Sequence, residues 1–427
     1  MKKLLKTLFA GVMLFSVVGC GNNSGSTETA IKTELDNPVE ITIWHTWTKQ
    51  HQAKLQEFAE RFNASQDKIT VKVEGQPLTD FDSKVLHAVR TNNGPDIIFT
   101  TPTVAATYAE DGMIANLGEY IQNEKVGISN FKENLPAATY NEISQWNGNI
   151  YMIPIMKTGE LFYYNKTLYD TLGLSVPKTW SELESNSRII KEHTGKAAFG
   201  FDSITDGATV LMMQNGSGYF NVEEKKAVFN NEKAEERFQW FGNLVQEGVF
   251  RLVGEDQYFS NLFGSEGIAS YIGSSAGYKF VEDSTNGKFE IGVAPIPQEG
   301  EKQFSSSYGS SAVVFKSNPD KELAAYEFIK YFVQTENNVE WSITYGALPA
   351  FNEALNAPNF QEYLAGNKYI SALVKQRETV DYIPALKGSN EARIAIGRAL
   401  EQVATKLKTA KEALTQAAED TNKAISR

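Results

Sequence analysis

The sequence predicts an α/β protein of two domains, and three observations carry that expectation. A chain of 427 residues is too long for one compact core and divides more naturally into two. Near its start a β-branched alternating run, an amphipathic helical stretch and a second alternating run follow one another, which is the pattern of a βαβ unit. Further on, Gly148–Leu183 holds two apolar runs, Ile150–Ile155 and Leu161–Tyr164, parted by the polar patch Lys157, Thr158, Gly159, Glu160. Two short buried strands joined by a polar connection suit a passage from one domain to the next.

Taken in order, Lys2, Lys3 and Lys6 precede the apolar run Leu8–Val18, which is shorter than the ~20 residues that span a bilayer and has the layout of a signal peptide over 1–19. It ends in Val17-Val18-Gly19-Cys20, and Cys20 is the chain's one cysteine. That count excludes an intramolecular disulfide and a thiolate metal cluster. The motif resembles a bacterial lipobox, which implies cleavage before Cys20, a lipid on its thiol and a protein held at the outer face of the cytoplasmic membrane. Residues 20–37 are small and polar and read as a flexible tether.

The folded body is expected from Val39. Val39–Trp44 is the first strand; Leu55, Phe58, Ala59 and Phe62 form one helical face; Ile69–Val73 is the second strand, parallel to the first because a helix crosses between them. Gly94-Pro95-Asp96-Ile97-Ile98-Phe99 leads into a third strand. Ligands in open α/β sheets gather beyond the carboxyl ends of strands, which places the Thr46–Trp47 and Thr101 loops on a common rim. After the passage, Asn165 caps a short helix that stops at Gly173, and Thr179 with Glu182 has capping-box spacing. Ala227-Val228-Phe229 and the helix of Phe238, Phe241 and Leu244 read as core. Phe263–Ser275 reads as a helix end, a strand and a small-residue loop, and Phe289–Pro297 is a further strand. Ser305–Gly309 returns to the first domain, Asn318-Pro319 opens a helix, and a third passage lies near Phe351–Leu355. Ile396, Leu400, Val403 and Leu407 form the stripe of a late helix, and a capping box at Thr409 and Glu412 opens the last one.

Several of these stretches resemble family 1 extracellular solute-binding proteins, the binding subunits of ABC importers for carbohydrates and related polyols. The likeness rests on Tyr164-Asn165-Lys166 followed by Pro177-Lys178-Thr179-Trp180, on GPDIIF, and on Phe263–Ser275, and it runs from Val39 to the end. It implies a type II periplasmic-binding-protein-like fold, each lobe a mostly parallel sheet flanked by helices, with three hinge crossings. The lobes would comprise 38–157 with 310–352, and 158–309 with 353–427. It also implies a small-molecule ligand between the lobes, a membrane permease as partner, and a monomer. The segment Phe263–Pro297 and Asn390-Glu391-Ala392-Arg393 resemble the sn-glycerol-3-phosphate branch, in which an arginine at the place of Arg393 and a serine loop hold phosphate. Ala347, Pro102 and Phe81 stand where that branch has a tyrosine, an acid and a tyrosine, and its tryptophans are missing around Asp202–Val210. A carbohydrate is therefore the expected ligand, with glycerol phosphate or a glycerophosphodiester as the alternative.

Sugar binding needs hydroxyl and amide groups together with aromatic faces. The candidates are Thr46, Trp47, Thr101, Thr158, Ser274, Ser275, Gly309 and Arg393. Trp47 is either a platform for a sugar ring or packed beneath its neighbouring helix, and Ser274 and Ser275 either meet ligand or satisfy their own turn. Arg393 either lines the cleft or pairs at the surface with Glu391. No catalytic role, cofactor or metal is expected: there is no nucleophile elbow, phosphate loop or HExxH motif, and the four histidines are scattered. Asp202–Gly207 faintly suggests a calcium loop, but Ile204 occupies a position that needs oxygen. A net charge of −11 argues against nucleic acid as a partner.

Overall fold

The computed structural model describes residues 31–426; the signal-like peptide and Cys20 lie outside them. Two five-stranded sheets carry the architecture, and a short hairpin, Phe220–Asn221 with Lys226–Ala227, stands apart from both. The first sheet has the order Ile69–Gly75, Val39–His45, Ile97–Thr100, Ser311–Val314, Ile153–Pro154. Val39–His45 runs parallel to both neighbours, with Val39 opposite Ile69 and Ile43 opposite Ile97. The crossover helix Lys49–Ser65 buries Leu55, Phe58, Ala59 and Phe62, the stripe its periodicity predicts. Ser311–Val314 is antiparallel to both Ile97–Thr100 and Ile153–Pro154.

The second sheet is built on Thr158–Asn165, all eight residues of which are buried. It departs from the mostly parallel expectation. Thr158–Asn165 runs antiparallel to Ser270–Ser274, Ile291–Ala294 and Ser305–Tyr308, and only Val380–Asp381 pairs in parallel, with Ser305–Tyr308. A strand that leaves the crossing and one that returns to it point in opposite directions. The two-lobed α/β fold stands, but the sheet is mixed in both lobes, half antiparallel in the first and mainly antiparallel in the second.

The crossings lie side by side. Lys157 and Leu348 exchange backbone hydrogen bonds of 2.8 Å in each direction, and Ile155 N–H donates to Ser310 O at 3.0 Å. Gly309 sits in this seam at φ +146°, and a Cβ there would fall 2.2 Å from Met156 O. Only glycine fits so close an approach.

Local signals hold with a few exceptions. Asn165, Ser203, Asn318 and Thr409 each cap a helix with their side chains, and Thr409 with Glu412 forms a complete capping box. Thr179 accepts from Glu182 N–H, but the Glu182 carboxylate returns to Lys178 N–H instead of closing the box. The apolar run Ile150–Ile155 yields strand only at Ile153–Pro154. Val228 and Leu407, expected in the core, are exposed; the late helix ends at Ala404, before its stripe reaches Leu407. The end of the predicted tether is held against the body, for Lys32 pairs with Asp320 at 2.6 Å and Glu34 with Lys125 at 3.5 Å.

In the second lobe the aromatic core of Phe162, Trp180, Phe199, Phe201 and Phe241 encloses Gln214, which has no exposed surface. Its amide accepts from Trp180 Nε1 at 2.6 Å and donates to Pro297 O and Phe304 O at 3.0 and 2.9 Å. Satisfied in this way, a buried amide locks its surroundings. It anchors the C-terminal end of helix Ile204–Gln214, whose first turn supplies Asp206 to the cleft.

Candidate binding cleft

Between the sheets lies a narrow cavity of about 40 Å3, lined by Thr101, Pro102, Thr103, Glu142, Ser306, Ser307, Tyr308, Gly309, Asp381, Ile383 and Arg393. The first lobe contributes the end of strand Ile97–Thr100, whose Thr101 and Thr103 hydroxyls share a hydrogen bond of 3.0 Å. The second contributes strand Ser305–Tyr308 and the N-terminal turn of helix Ser389–Ala404.

Arg393 Nη2 lies 2.6 Å from Asp206 Oδ1, and Tyr308 donates its hydroxyl to the same oxygen at 2.7 Å. The guanidinium stands 5.8 Å from the Tyr308 ring centroid. Burial alone would weaken the arginine's charge, but Asp206 and the tyrosines around it hold it more firmly protonated than usual. Arg393 Nε is buried and has no acceptor among the described residues. Glu160, across the sheet on Thr158–Asn165, is buried; burial and the carboxylates of Asp206 and Asp202 push its pKa well above the usual carboxylate range. Burial likewise raises Asp202 to about 6, although its carboxylate accepts Phe259 N–H at 2.6 Å. Two other cations nearby are also matched: Lys157 pairs with Glu142, and Lys302 with Asp381 at 2.6 Å. Among the residues that line this cavity, then, the one cation, Arg393, already holds a carboxylate and the acids Glu142 and Asp381 outnumber it; Arg377, in the adjoining cavity, donates to Asn352 Oδ1 at 3.1 Å.

Of the sequence candidates, the cavity gathers Thr101, Gly309 and Arg393. Thr158 lines a separate cavity beside Lys157, Leu348 and Arg377. Ser274 is exposed and caps its own turn by accepting Ala276 N–H; Ser275 is buried and accepts Gly159 N–H at 3.4 Å. Thr46 does not line the cavity. Trp47 packs among Phe99, Trp341, His45 and Tyr345, with centroids 4.6 to 6.3 Å away. Arg393 pairs with Asp206, not Glu391. Sequence reasoning missed Tyr308, Ser306, Glu142 and Asp206 as cleft residues. Tyr308 was within reach, for it is the one aromatic in the polar return segment Ser305–Gly309. Asp206 had drawn notice only as part of a weak calcium motif, and no cluster of metal-ligating side chains exists among the described residues.

The lobes also touch along the cleft edge. Lys387 reaches Asp111 at 2.5 Å and Lys225 reaches Glu110 at 3.0 Å, while Ala385 N–H donates to Gln145 Oε1 at 2.6 Å.

A cleft of this kind between two α/β lobes joined by adjacent crossings defines a solute-binding protein. Residues 57–366 match the bacterial extracellular solute-binding protein family, and the chain belongs to that family. Among its relatives is the sn-glycerol-3-phosphate-binding periplasmic protein UgpB of Rhizobium meliloti, 26% identical over 328 residues that cover 73% of this chain and 75% of the relative. The cyclic alpha-maltosyl-1,6-maltose binding protein of Arthrobacter globiformis has a similar fold, with a TM-score of 0.78 at 22% identity over 91% of this chain and 99% of that one. So does the GacH receptor of Streptomyces glaucescens, solved unliganded and with acarbose, with a TM-score of 0.78 at 20% identity over 92% and 99% of the two chains.

The raised pKa of Asp202 fixes the sign of a pH effect. Between about pH 4 and about 6 the folded protein keeps a proton there that the unfolded chain releases, so this group's contribution to stability falls as pH rises. Across the window the loss is roughly 2–3 kcal/mol. Asp202→Asn keeps an acceptor for Phe259 N–H and removes the titration. Calorimetric melting from pH 4 to 7 should show the variant gaining on wild type as pH rises through the window; parallel curves would show that Asp202 does not titrate there.

Proposed function

We propose that the protein is the extracytoplasmic substrate-binding subunit of a bacterial ABC importer, and that its cleft captures a neutral carbohydrate and presents it to the membrane permease. The charge balance of the cavity supports this reading. A phosphate ester needs an unmatched cation, and Arg393, which the glycerol-phosphate alternative requires, is engaged by Asp206. The further carboxyl groups behind it, Glu160 and Asp202, supply no positive charge. A sugar needs only hydroxyl-sized polar partners, which Thr101, Thr103 and Tyr308 supply, and the Tyr308 ring offers a face for its C–H surface. The sugar-binding names of the structural neighbours agree with it; the name of the UgpB relative supports the phosphate alternative.

In this reading the lobes are 38–157 with 310–352 and 158–309 with 353–427, and they part and close about the crossings. The protein works as a monomer, binds without turnover, and hangs from the membrane by a lipid on Cys20. The lone cysteine at the end of a signal-like peptide motivates the anchor, because it has no disulfide partner. Cys20→Ala should leave the precursor uncleaved or release the protein from the membrane fraction, and unchanged fractionation with normal processing would contradict the anchor.

The ligand class is testable by thermal shift, since a ligand that binds only the native state raises its melting temperature by mass action. A panel of neutral mono- and oligosaccharides should contain stabilising compounds at millimolar concentration, while sn-glycerol 3-phosphate and glycerophosphodiesters should not stabilise. The reverse pattern would establish the phosphate alternative.

A further inference from the structure

The polar N-terminal stretch changes character before it reaches the first strand. Residues 21–30 are mostly small and polar and include no basic residue, whereas Ile31, Lys32, Glu34, Leu35 and Asp36 follow with long apolar or charged side chains. Lys32, Thr33 and Leu35 are half-buried, although they lie outside any helix or strand. Charge pairing holds this segment down. Lys32 Nζ stands 2.6 Å from Asp320 Oδ1 and 2.6 Å from Asp36 Oδ2, and the two carboxylates keep its ammonium more firmly protonated than usual. Asp320 Oδ1 is buried. A second, more exposed pair joins Glu34 to Lys125 at 3.5 Å. One lysine set between two carboxylates is a small network, the arrangement in which partly exposed ion pairs count for more than isolated ones do.

The topology of the first sheet places this clasp. The cavity lies at the carboxyl end of strand Ile97–Thr100, where Thr101 lines it. Strand Ser311–Val314 runs back from there, with Ser311 opposite Thr100 and Val314 opposite Ile97. Helix Pro319–Phe332 therefore starts at the far end of the sheet. Lys321, in its first turn, pairs there with Asp96, just before strand Ile97–Thr100, at 3.0 Å, and Asp320 is its neighbour. Val39 opens the parallel strand at the same end, and its N–H donates to Lys68 O at 2.7 Å. The clasp thus sits on the end of the first lobe opposite the cleft.

We propose that residues 32–38 form a strap that passes the pull of the lipid anchor to the far end of the first lobe and shortens the anchor's reach. The inference rests on the anchor reading of Cys20 given above. Between Cys20 and Lys32 the chain spans at most roughly 41 Å, against roughly 65 Å between Cys20 and Val39 with the strap released, at about 3.4 Å per residue. Asp320 and Lys125 both belong to the first lobe, so the strap holds that lobe near the bilayer and leaves the second free to move. Salt screens the pairs and lengthens the reach.

Limited trypsin digestion of the native mature protein, read by mass spectrometry, tests the strap at Lys32 itself, because the protease needs that side chain free. Wild type should resist cleavage after Lys32 at low salt. Asp320→Asn should raise the rate about three- to fivefold, the scale of a partly exposed ion pair, and high salt should do the same to wild type. Lys125→Gln, on a different element, should raise it by a smaller factor. Cleavage at lysines within the body should stay unchanged in both variants, which separates release of the strap from unfolding. For the reach, the lipidated protein is placed on vesicles with a dye at Lys316→Cys, an exposed position close to the clasp. Energy transfer from the dye to acceptor lipids should fall when Asp320→Asn is added. Equal cleavage after Lys32 in wild type and both variants, or faster cleavage with unchanged energy transfer, would overturn the proposal. Protein that does not stay on the vesicles would overturn the anchor reading, and the digestion would still decide the strap.

Discussion

In the proposed reading, the ion pair between Arg393 and Asp206 decides how the cleft reads charge. Removing one partner of a buried pair leaves the other charge uncompensated, at a cost of about 3–5 kcal/mol. A ligand phosphate that took the arginine for itself would inflict much the same loss on Asp206, beside Glu160, which is already driven toward its neutral form. The pair thus turns an arginine suited to anions into part of a neutral polar wall. Tyr308 belongs to the same unit, since its hydroxyl and the guanidinium share one carboxylate oxygen.

The geometry that presents this unit is set elsewhere. Gln214 ties the far end of the Asp206 helix into the second lobe's core. Gly309 lets the return strand pass against Met156 O, which brings Tyr308 and Arg393 opposite Thr101. In the proposed closure, the adjacent, hydrogen-bonded crossings are where a few backbone rotations would move one lobe against the other. The edge contacts of Lys387 and Lys225 with Asp111 and Glu110 are partly exposed charge pairs, and such pairs are individually weak. They suit the opening and closing proposed for this seam.

Most of the fold was legible in the sequence because its signals are local. Periodicity marked Val39–His45 and the Leu55–Phe62 stripe, capping residues marked helix starts, and the polar patch at Lys157–Glu160 marked the first crossing. Strand direction in the second sheet was not legible, since it depends on which distant segment returns beside Thr158–Asn165. The late-helix stripe was read one turn too far, to Leu407, because an apolar residue at the right spacing does not reveal where a helix stops. In the cleft, Thr101, Gly309 and Arg393 could be found from their positions after strands or at a helix start. The partner of Arg393 could not: Asp206 lies 187 residues away, and nothing in its own neighbourhood announces the pairing. Trp47 was a loop aromatic in sequence, and in three dimensions it belongs to a nest of rings.

The most direct test of the account is the salt dependence of binding. Calorimetric titration of the strongest saccharide ligand, and separately of sn-glycerol 3-phosphate, from low to high ionic strength distinguishes a polar site from an ionic one, because only interactions between charges are screened. The account expects saccharide affinity that is flat with salt and no measurable binding of the phosphate ester even at the lowest salt. Tight binding of the phosphate ester that weakens steadily as salt rises would show that Arg393 gives up Asp206 for the ligand, and would contradict it.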